Sequence, residues 1–456
     1  MQLAASRLRK RGEARAIGLS EHKPARQKDA RTPAMPDTRP PSAPASRRRF
    51  RLDPFWVYMA VVSAWFASFG LQTTLFPGVI NFTLAESPAR LGIAQAALTA
   101  PMLLLLPLTG VLAERMDRRS LLLVFHCVAG LSAAVLSAML FAGMLSYEAL
   151  VVYALVVGSA GAFVMPARDS AINGVTRVSQ RLGRPLSLQR AIVFASLVQF
   201  GAQISGMGAG FLASYAGPAP LFAVQAVILT AGGLLALSMP RLPRPREQSE
   251  PVITALLTGL RTVINSPVIW PMTLIMIAVG ALVVGGGFFV IIPVLVRDVY
   301  GAGYDVLAGL MVTFWVGAFF SNIILARLPL IERPGRTLMV VQTLAALALG
   351  CIALPLALIQ LFGVIFIWGL AGGVAMSLSR ALVQENAPRR QIARVMSVYQ
   401  LGLFGGMPAG AVIMGYVVEW MGPRDAALIP AGGILAVLIV IIATTPILSV
   451  RRADPS

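Results

Sequence analysis

Long apolar runs, interrupted by short polar knots, dominate this chain. After Pro54 twelve apolar blocks follow, with approximate limits 54–80, 88–112, 120–143, 148–168, 188–213, 220–239, 268–295, 305–327, 336–358, 360–383, 395–418 and 425–447. Each is close to the roughly 20 residues that a helix needs to cross a bilayer. Spans of this length satisfy their backbone polar groups only as helices. The predicted fold class is an all-α membrane protein with twelve transmembrane helices. The longest connection, roughly 240–267, divides them six and six. Within it Val252, Leu256, Leu257, Leu260, Val263 and Ile264 recur at helical spacing. That spacing predicts a short amphipathic helix, either lying on the membrane surface or packed on the ends of the spans.

An internal repeat supports the division. GMGAG at 206–210 in block 5 returns as GMPAG at 406–410 in block 11, and each precedes a Gly-Pro pair, Gly217-Pro218 and Gly422-Pro423. Gly70 stands seven residues before Pro77 in block 1, as Gly286 does before Pro293 in block 7. Two parallel, pseudo-symmetric six-helix bundles would match in this way. The predicted organisation is a disordered basic cytoplasmic tail (1–53), an N-terminal six-helix bundle (54–239), a cytoplasmic linker (240–267), a C-terminal six-helix bundle (268–447) and a cytoplasmic tail (448–456).

Composition agrees with the pattern. Of 456 residues, 57% are hydrophobic and 12% charged, against about 25% charged in soluble domains. The formal charge of +19 would suggest nucleic acid in a soluble protein. Here the cations alternate with the apolar blocks. With the N-terminus placed in the cytoplasm, the inner segments from residue 47 onward hold 25 arginines and the outer ones only Arg90, Arg297 and Arg424. By the positive-inside rule both termini are cytoplasmic, in a bacterial plasma membrane. No nucleic-acid partner is expected. Residues 1–53, proline-rich and charged, cannot bury a core and do not read as a secretory signal peptide. Cys127 and Cys351 sit inside apolar blocks and the histidines number two, so neither a disulfide framework nor a metal site is expected. No Walker-type phosphate loop is present, no cofactor is called for, and no polar catalytic cluster at membrane depth suggests an enzyme.

One knot is distinctive. GVLAERMDRRS, residues 110–120, packs five charges into six residues between blocks 2 and 3. It resembles the signature loop of the major facilitator superfamily, Gly-x-Leu-Ala-Asp-Arg-x-Gly-Arg-Arg. Gly110, Leu112, Ala113, Arg115, Arg118 and Arg119 match, Glu114 stands for the Asp, and Asp117 replaces the second Gly. GAFVMPARDSAI at 161–172 and PAPLFAVQAV after Gly217 are similar to the branch of enterobactin exporters and macrolide efflux proteins. The resemblance covers about residues 50–450. It implies the major facilitator fold and secondary transport by alternating access, with efflux as the expected direction and an antiporter as the expected type. Uptake of a nutrient, or a transporter-fold sensor, are the alternatives. It also implies a conformational latch on the inner face formed by Gly110, Glu114, Arg115, Asp117, Arg118 and Arg119, with Arg118 reaching Asp169 on block 4. The chain departs from the family in reading Gly206-Met207 where the antiporter motif has Gly-Pro, and in lacking a clear counterpart of the intramembrane arginine of helix 4.

Polar groups at mid-membrane depth are the substrate candidates. They are Gln72 and Thr73 in block 1, Gln199 and Gln203 (four apart and so on one face) in block 5, and Gln400 in block 11. Phe288, Phe289 and Trp315 supply aromatic surface from blocks 7 and 8. No acid lies near the centre of a span. A neutral, zwitterionic or amphipathic small molecule therefore suits the chain better than a permanent cation. Asp169 and Glu385, the least peripheral acids, are the candidates for coupling to protons. The expected partners are the lipid bilayer, a small-molecule substrate and protons, and the expected state is a monomer.

Overall fold

The computed structural model describes residues 53–105, 109, 117–183, 186–241, 252–328, 331–389 and 391–450. Residues Phe50–Ser456 form one compact unit. Every regular element among the described residues is helical. In chain order they are α1 (Pro54–Gly78, carried on by a π-helical turn Val79–Thr83), α2 (Pro88–Leu104), α3 (Arg118–Phe141), α4 (Tyr147–Arg181), α5 (Leu188–Ala209) and α6 (Pro218–Ala236). Next come α7 (Val252–Ile264), α8 (Ile269–Ala278), α9 (Tyr304–Arg327), α10 (Pro334–Cys351), α11 (Leu358–Asn386), α12 (Ile392–Ala426) and α13 (Leu428–Thr444). The α8 span continues through a π-helical stretch, Val279–Ile291, to Asp298.

Among the described residues ten helices are long and apolar enough to cross a membrane. The tail 1–52, residues 242–251, and Gly110, Glu114 and Arg115 of the signature loop lie outside the described residues. Two boundaries differ from the sequence reading. Block 4 was expected to end near residue 168, yet α4 runs on to Arg181. In its polar last turns Thr176 bonds back to the Ile172 carbonyl at 2.8 Å and Ser179 ties the helix to Asp53 at 2.8 Å. Block 11 was expected to end near residue 418, yet its helix runs on to a break at Gly422, with φ 82° and ψ 162°. Only glycine adopts that conformation cheaply.

Helix starts follow local rules. Asp53, Ser87, Asp117, Ser146 and Ser187 each accept a backbone N–H from the first turn of the helix they precede. This satisfies donors that would otherwise be orphaned. Asp53 also holds Ser179, so it ties the start of α1 to the end of α4. Asp53→Ala is expected to lower stability by about 1 kcal/mol, while Asp53→Asn keeps most of it. Thermal unfolding of the purified pair checks this.

The helices of residues 53–241 pack mainly on one another, as do those of 252–450. Two sets of contacts mark opposite ends of the molecule. At one, Asp53 meets Ser179, Arg119 meets the Met239 carbonyl, and Thr262 meets Gln391. At the other, Tyr147 meets the Arg90 carbonyl, Ser137 the Ala219 carbonyl and Tyr300 the Leu356 carbonyl. The first end carries most of the arginines; the second carries Arg90, Arg297 and Arg424. The helix α7 lies at the arginine-rich end with Val263 buried and Gly259 against the Arg394 carbonyl, while Leu257, Leu260 and Ile264 stay exposed. Both faces foreseen for it are therefore present. One is packed on α12 and the other is left apolar and open.

The repeated glycines bring the helices of each half into backbone contact. A Cβ on Gly70 would stand 2.9 Å from the Gln203 carbonyl carbon, and one on Gly206 2.9 Å from Leu71 N. These two glycines join α1 to α5. A Cβ on Gly406 would stand 2.7 Å from Ala281 N, and one on Gly410 2.5 Å from Ala281 Cα. That pair joins α12 to the α8 span. GMGAG and GMPAG do the same work in the two halves.

Candidate functional site

Between the two sequence halves lies a cavity of about 330 Å³. Its first-half wall is built on the α1–α5 contact. The close approach at Gly70 and Gly206 brings Gln72 and Thr73 on α1 beside Gln199 and Gln203 on α5, and all four line the cavity. Thr73 bonds to its own helix, at the Phe69 carbonyl. Gln72 and Gln203 are each 3% exposed, and neither side chain makes a hydrogen bond to a described residue. The Gln72 amide nitrogen is sealed off without a partner, which costs free energy.

The second-half wall is aromatic. Phe288 and Phe289 come from the π-helical stretch of the α8 span, Phe314 and Trp315 from α9, and Trp368 from α11. Ring centroids lie 5.0 Å apart for Phe288–Phe314 and for Phe314–Trp368, and 5.4 Å for Phe288–Phe289. Such tilted and edge-on contacts are the favourable arrangement of aromatic quadrupoles. A π-helix is frequent at functional sites. Here it runs through Gly285, Gly286 and Gly287, which pack on α12 at Met407, Met414 and on Leu349 and Trp368 respectively.

Seven of the eight substrate candidates read from the sequence thus share one cavity: Gln72, Thr73, Gln199, Gln203, Phe288, Phe289 and Trp315. Gln400 does not line it. Leu403, Phe404 and Met407, one and two turns further along α12, do. Sequence reasoning missed Gln342 on α10, 5% exposed and also without a described hydrogen-bond partner, and Ser379 on α11, held by Tyr399 at 2.9 Å. It also missed Gln225, which accepts from Tyr153 at 3.2 Å and donates to the Ser68 carbonyl at 3.3 Å. The signal was available, since each is a polar residue inside an apolar block. Six methionines, among them Met207 and Met407, complete a deformable lining. Among the described residues none that lines the cavity is charged.

Arg168 was read from the sequence as one more topology-setting cation near a helix end. Because α4 continues 13 residues beyond it, it lies within the helix instead. Its side chain is 14% exposed, its guanidinium lies 4.7 Å from the centroid of the Phe66 ring, and its Nη1 donates to Gln199 Oε1 at 3.1 Å. Phe66 and Gln199 both line the cavity. The ion-pair partner is Asp169, at 2.6 Å, whose own side chain is 67% exposed.

The latch residues are placed in part. Asp117 caps α3 through Arg119 N at 3.4 Å, and Arg119 Nη1 donates to the Met239 carbonyl at 3.4 Å. Arg118 Nε donates to Ser170 Oγ at 2.8 Å. It therefore reaches α4 one residue beyond Asp169, which faces Arg168. Asp169 and Glu385 both lie at the exposed, arginine-rich side and neither lines the cavity. His126 is fully buried, bonded to the Leu122 carbonyl of its own helix at 2.8 Å and edge-on to Trp65, as a packing histidine is. Among the described residues no His, Cys, Asp and Glu cluster suits a metal.

The cavity is closed at the arginine-poor end by bonds between the halves. Glu419 on α12 accepts from Ala89 N at 3.0 Å, Tyr304 meets Thr83 at 2.9 Å, Arg297 Nη1 donates to the Glu86 carbonyl at 2.7 Å, and Asp305 N donates to Ser214 at 3.0 Å. Behind them α2 and α12 touch backbone to backbone, where a Cβ on Gly92 would stand 3.1 Å from Gly415 Cα.

The sequence profile of the Major Facilitator Superfamily matches residues 57–411 and 308–454. The chain is 24% identical over 379 residues to the enterobactin exporter of Shigella flexneri, covering 82% of this chain and 87% of that one. It is 25% identical over 378 residues to the enterobactin exporter of Escherichia coli O127:H6, covering 82% and 88%. Among solved structures it is similar in fold to a nucleoside transporter (TM-score 0.70, 14% identity, 86% of this chain and 99% of that one). It is similar also to a bacterial homologue of the human lysosomal transporter Spinster in an inward-facing, occupied conformation (TM-score 0.64, 17% identity, 88% and 98%).

Proposed function

Since the chain belongs to the Major Facilitator Superfamily, a family of transporters and not of enzymes, we propose that it exports a small amphipathic molecule, such as a siderophore, drug or metabolite. The cavity between the halves carries this reading. It is uncharged and roomy, with amides on one wall and aromatic rings on the other. Such a site suits a bulky, partly apolar cargo with a few hydrogen-bonding groups. The proposed machine has twelve helices in two six-helix bundles that rock about the cavity. The arginine-rich end faces the cytoplasm by the positive-inside rule. The end closed by Glu419, Tyr304 and Arg297 is then the outer one, and the arrangement described is loaded from inside. The outward direction is supported by the similarity to enterobactin exporters. The protein works as a monomer in the bacterial inner membrane. Protons drive it through Asp169 or Glu385, and the loop around Glu114 latches the inner side.

Paired deletion and overexpression strains, compared for drug sensitivity and secreted metabolites, would identify the cargo. Its accumulation in inverted vesicles under an imposed pH gradient tests the mechanism. Loss of accumulation when the gradient is collapsed is expected. Gradient-independent accumulation removes proton coupling, and movement only in the opposite direction makes the protein an uptake permease. In the same assay the double variant Gln72→Leu and Gln203→Leu is expected to lower flux about tenfold or more, because a cargo group paired with an amide loses on the order of 1–3 kcal/mol when that amide is gone. Unchanged flux moves the binding site elsewhere.

A further inference from the structure

We propose that the cavity discriminates by the sign of charge. It accepts aromatic compounds that carry an anionic or acceptor-rich group and disfavours organic cations, with Arg168 and Gln199 as the specificity-determining pair. The proposal rests on the cavity being the cargo site.

The argument starts from hydrogen-bond polarity. A guanidinium has donors and no acceptor. The Gln199 atom bonded to Arg168 must therefore be the carbonyl oxygen, however the amide is assigned. With that oxygen occupied, Gln199 has its NH₂ left for the cavity it lines. The arginine thus fixes Gln199 as a donor.

Electrostatics point the same way. Arg168 stands behind the wall, bonded to Gln199, and is 14% exposed, with its guanidinium against the Phe66 ring. Its counter-ion Asp169 is 67% exposed, so water screens the carboxylate more than the guanidinium. The net potential from this pair into the cavity is positive. Among the described residues no acid lines the cavity to receive a cation. The buried amides of Gln72 and Gln203 lack described partners and can donate to the same acceptor group, while the rings of Phe288, Phe314 and Trp368 take an aromatic body.

Three naphthalene probes of similar size test this: 2-naphthoate, neutral 2-naphthol and 2-naphthylmethylammonium. Their affinities for the full chain in neutral-detergent micelles are read from quenching of tryptophan fluorescence, since Trp65, Trp315 and Trp368 line the cavity. The carboxylate is expected to bind about tenfold more tightly than the ammonium, the order expected for one partly screened charge. Arg168→Gln should bring the two within about threefold while 2-naphthol still binds, which shows that the variant is folded. Arg168→Lys should keep the preference, and Gln199→Leu should weaken the carboxylate severalfold. Equal or tighter binding of the ammonium to the unaltered protein overturns the proposal. So does a carboxylate preference that survives Arg168→Gln, and so does failure of all three probes to bind at millimolar concentration. Sign-selective binding without flux of any compound would sink the transport reading and leave this one standing, whereas efficient flux of an organic cation would do the reverse.

Discussion

Valine at Gly410 is expected to remove most folded, active protein. A Cβ there would lie 2.5 Å from Ala281 Cα and closer still to the Ala281 carbonyl, whereas carbon atoms in contact sit about 3.5–4 Å apart. Both obstacles are backbone, so no rotamer change relieves them. The α8 span and α12 must separate by more than an ångström along a contact that also involves Gly280, Gly285 and Gly406. Overpacking of a well-filled core costs about 1–3 kcal/mol, and more when backbone must move. Gly70→Val should act likewise at the α1–α5 contact, where it also displaces the helix that carries Gln203. Gly201→Val is the control, since nothing lies within 4 Å of a Cβ at that position. Size-exclusion profiles and apparent melting temperatures of the three variants are the measurement. Equal stability of Gly410→Val and Gly201→Val would refute the account.

The second large effect concerns the closed end. The first N–H groups of a helix have no partner within it, and a carboxylate there also meets the positive end of the helix dipole. Ser87 takes one such group of α2; Glu419, from the other half of the chain, takes another. Opening this end must break the Glu419, Tyr304 and Arg297 bonds together. Each is worth on the order of 1 kcal/mol after allowance for solvent exposure. The triple variant Glu419→Ala, Tyr304→Phe and Arg297→Ala should therefore shift the balance of states toward opening at the arginine-poor end by between about tenfold and a hundredfold. A cysteine at Thr73, which lines the cavity, reports this once Cys127 and Cys351 have been replaced. Labelling by an impermeant maleimide applied from that side should accelerate in the variant. An unchanged rate would show that these bonds do not hold the end shut.

Much of the architecture was legible before any coordinates. Spacing of apolar blocks marked the helices, because a bilayer leaves a chain no other way to satisfy its backbone. GMGAG and GMPAG pointed to equivalent positions, and the close contacts at Gly206 and Gly406 give the reason: only glycine lets two helix backbones meet there. Amides, a hydroxyl and aromatic rings inside apolar runs marked seven residues that share one cavity. Gln400 shows where the signal failed. Depth along a span was read from sequence position alone, and one helical turn decides whether a side chain reaches the cavity.

Arg168 shows the limit more sharply. In the sequence it is one of 25 arginines on the basic side after residue 46 and reads as a marker of topology. Hydropathy falls away at residue 168, so the block ends there in the sequence, yet α4 continues to Arg181, with Ser179 held by Asp53. That extension, the Phe66 ring beneath the guanidinium and Gln199 across from α5 rest on contacts between residues 31 to 126 positions apart, between segments that no local pattern links. The sequence by itself determined the helical class and the family signature, because these follow from hydropathy and from short motifs. Only the tertiary structure decided which polar groups share the cavity and which end is closed. It alone joined Arg168 to Gln199, because those relations arise when helices distant in the chain pack side by side.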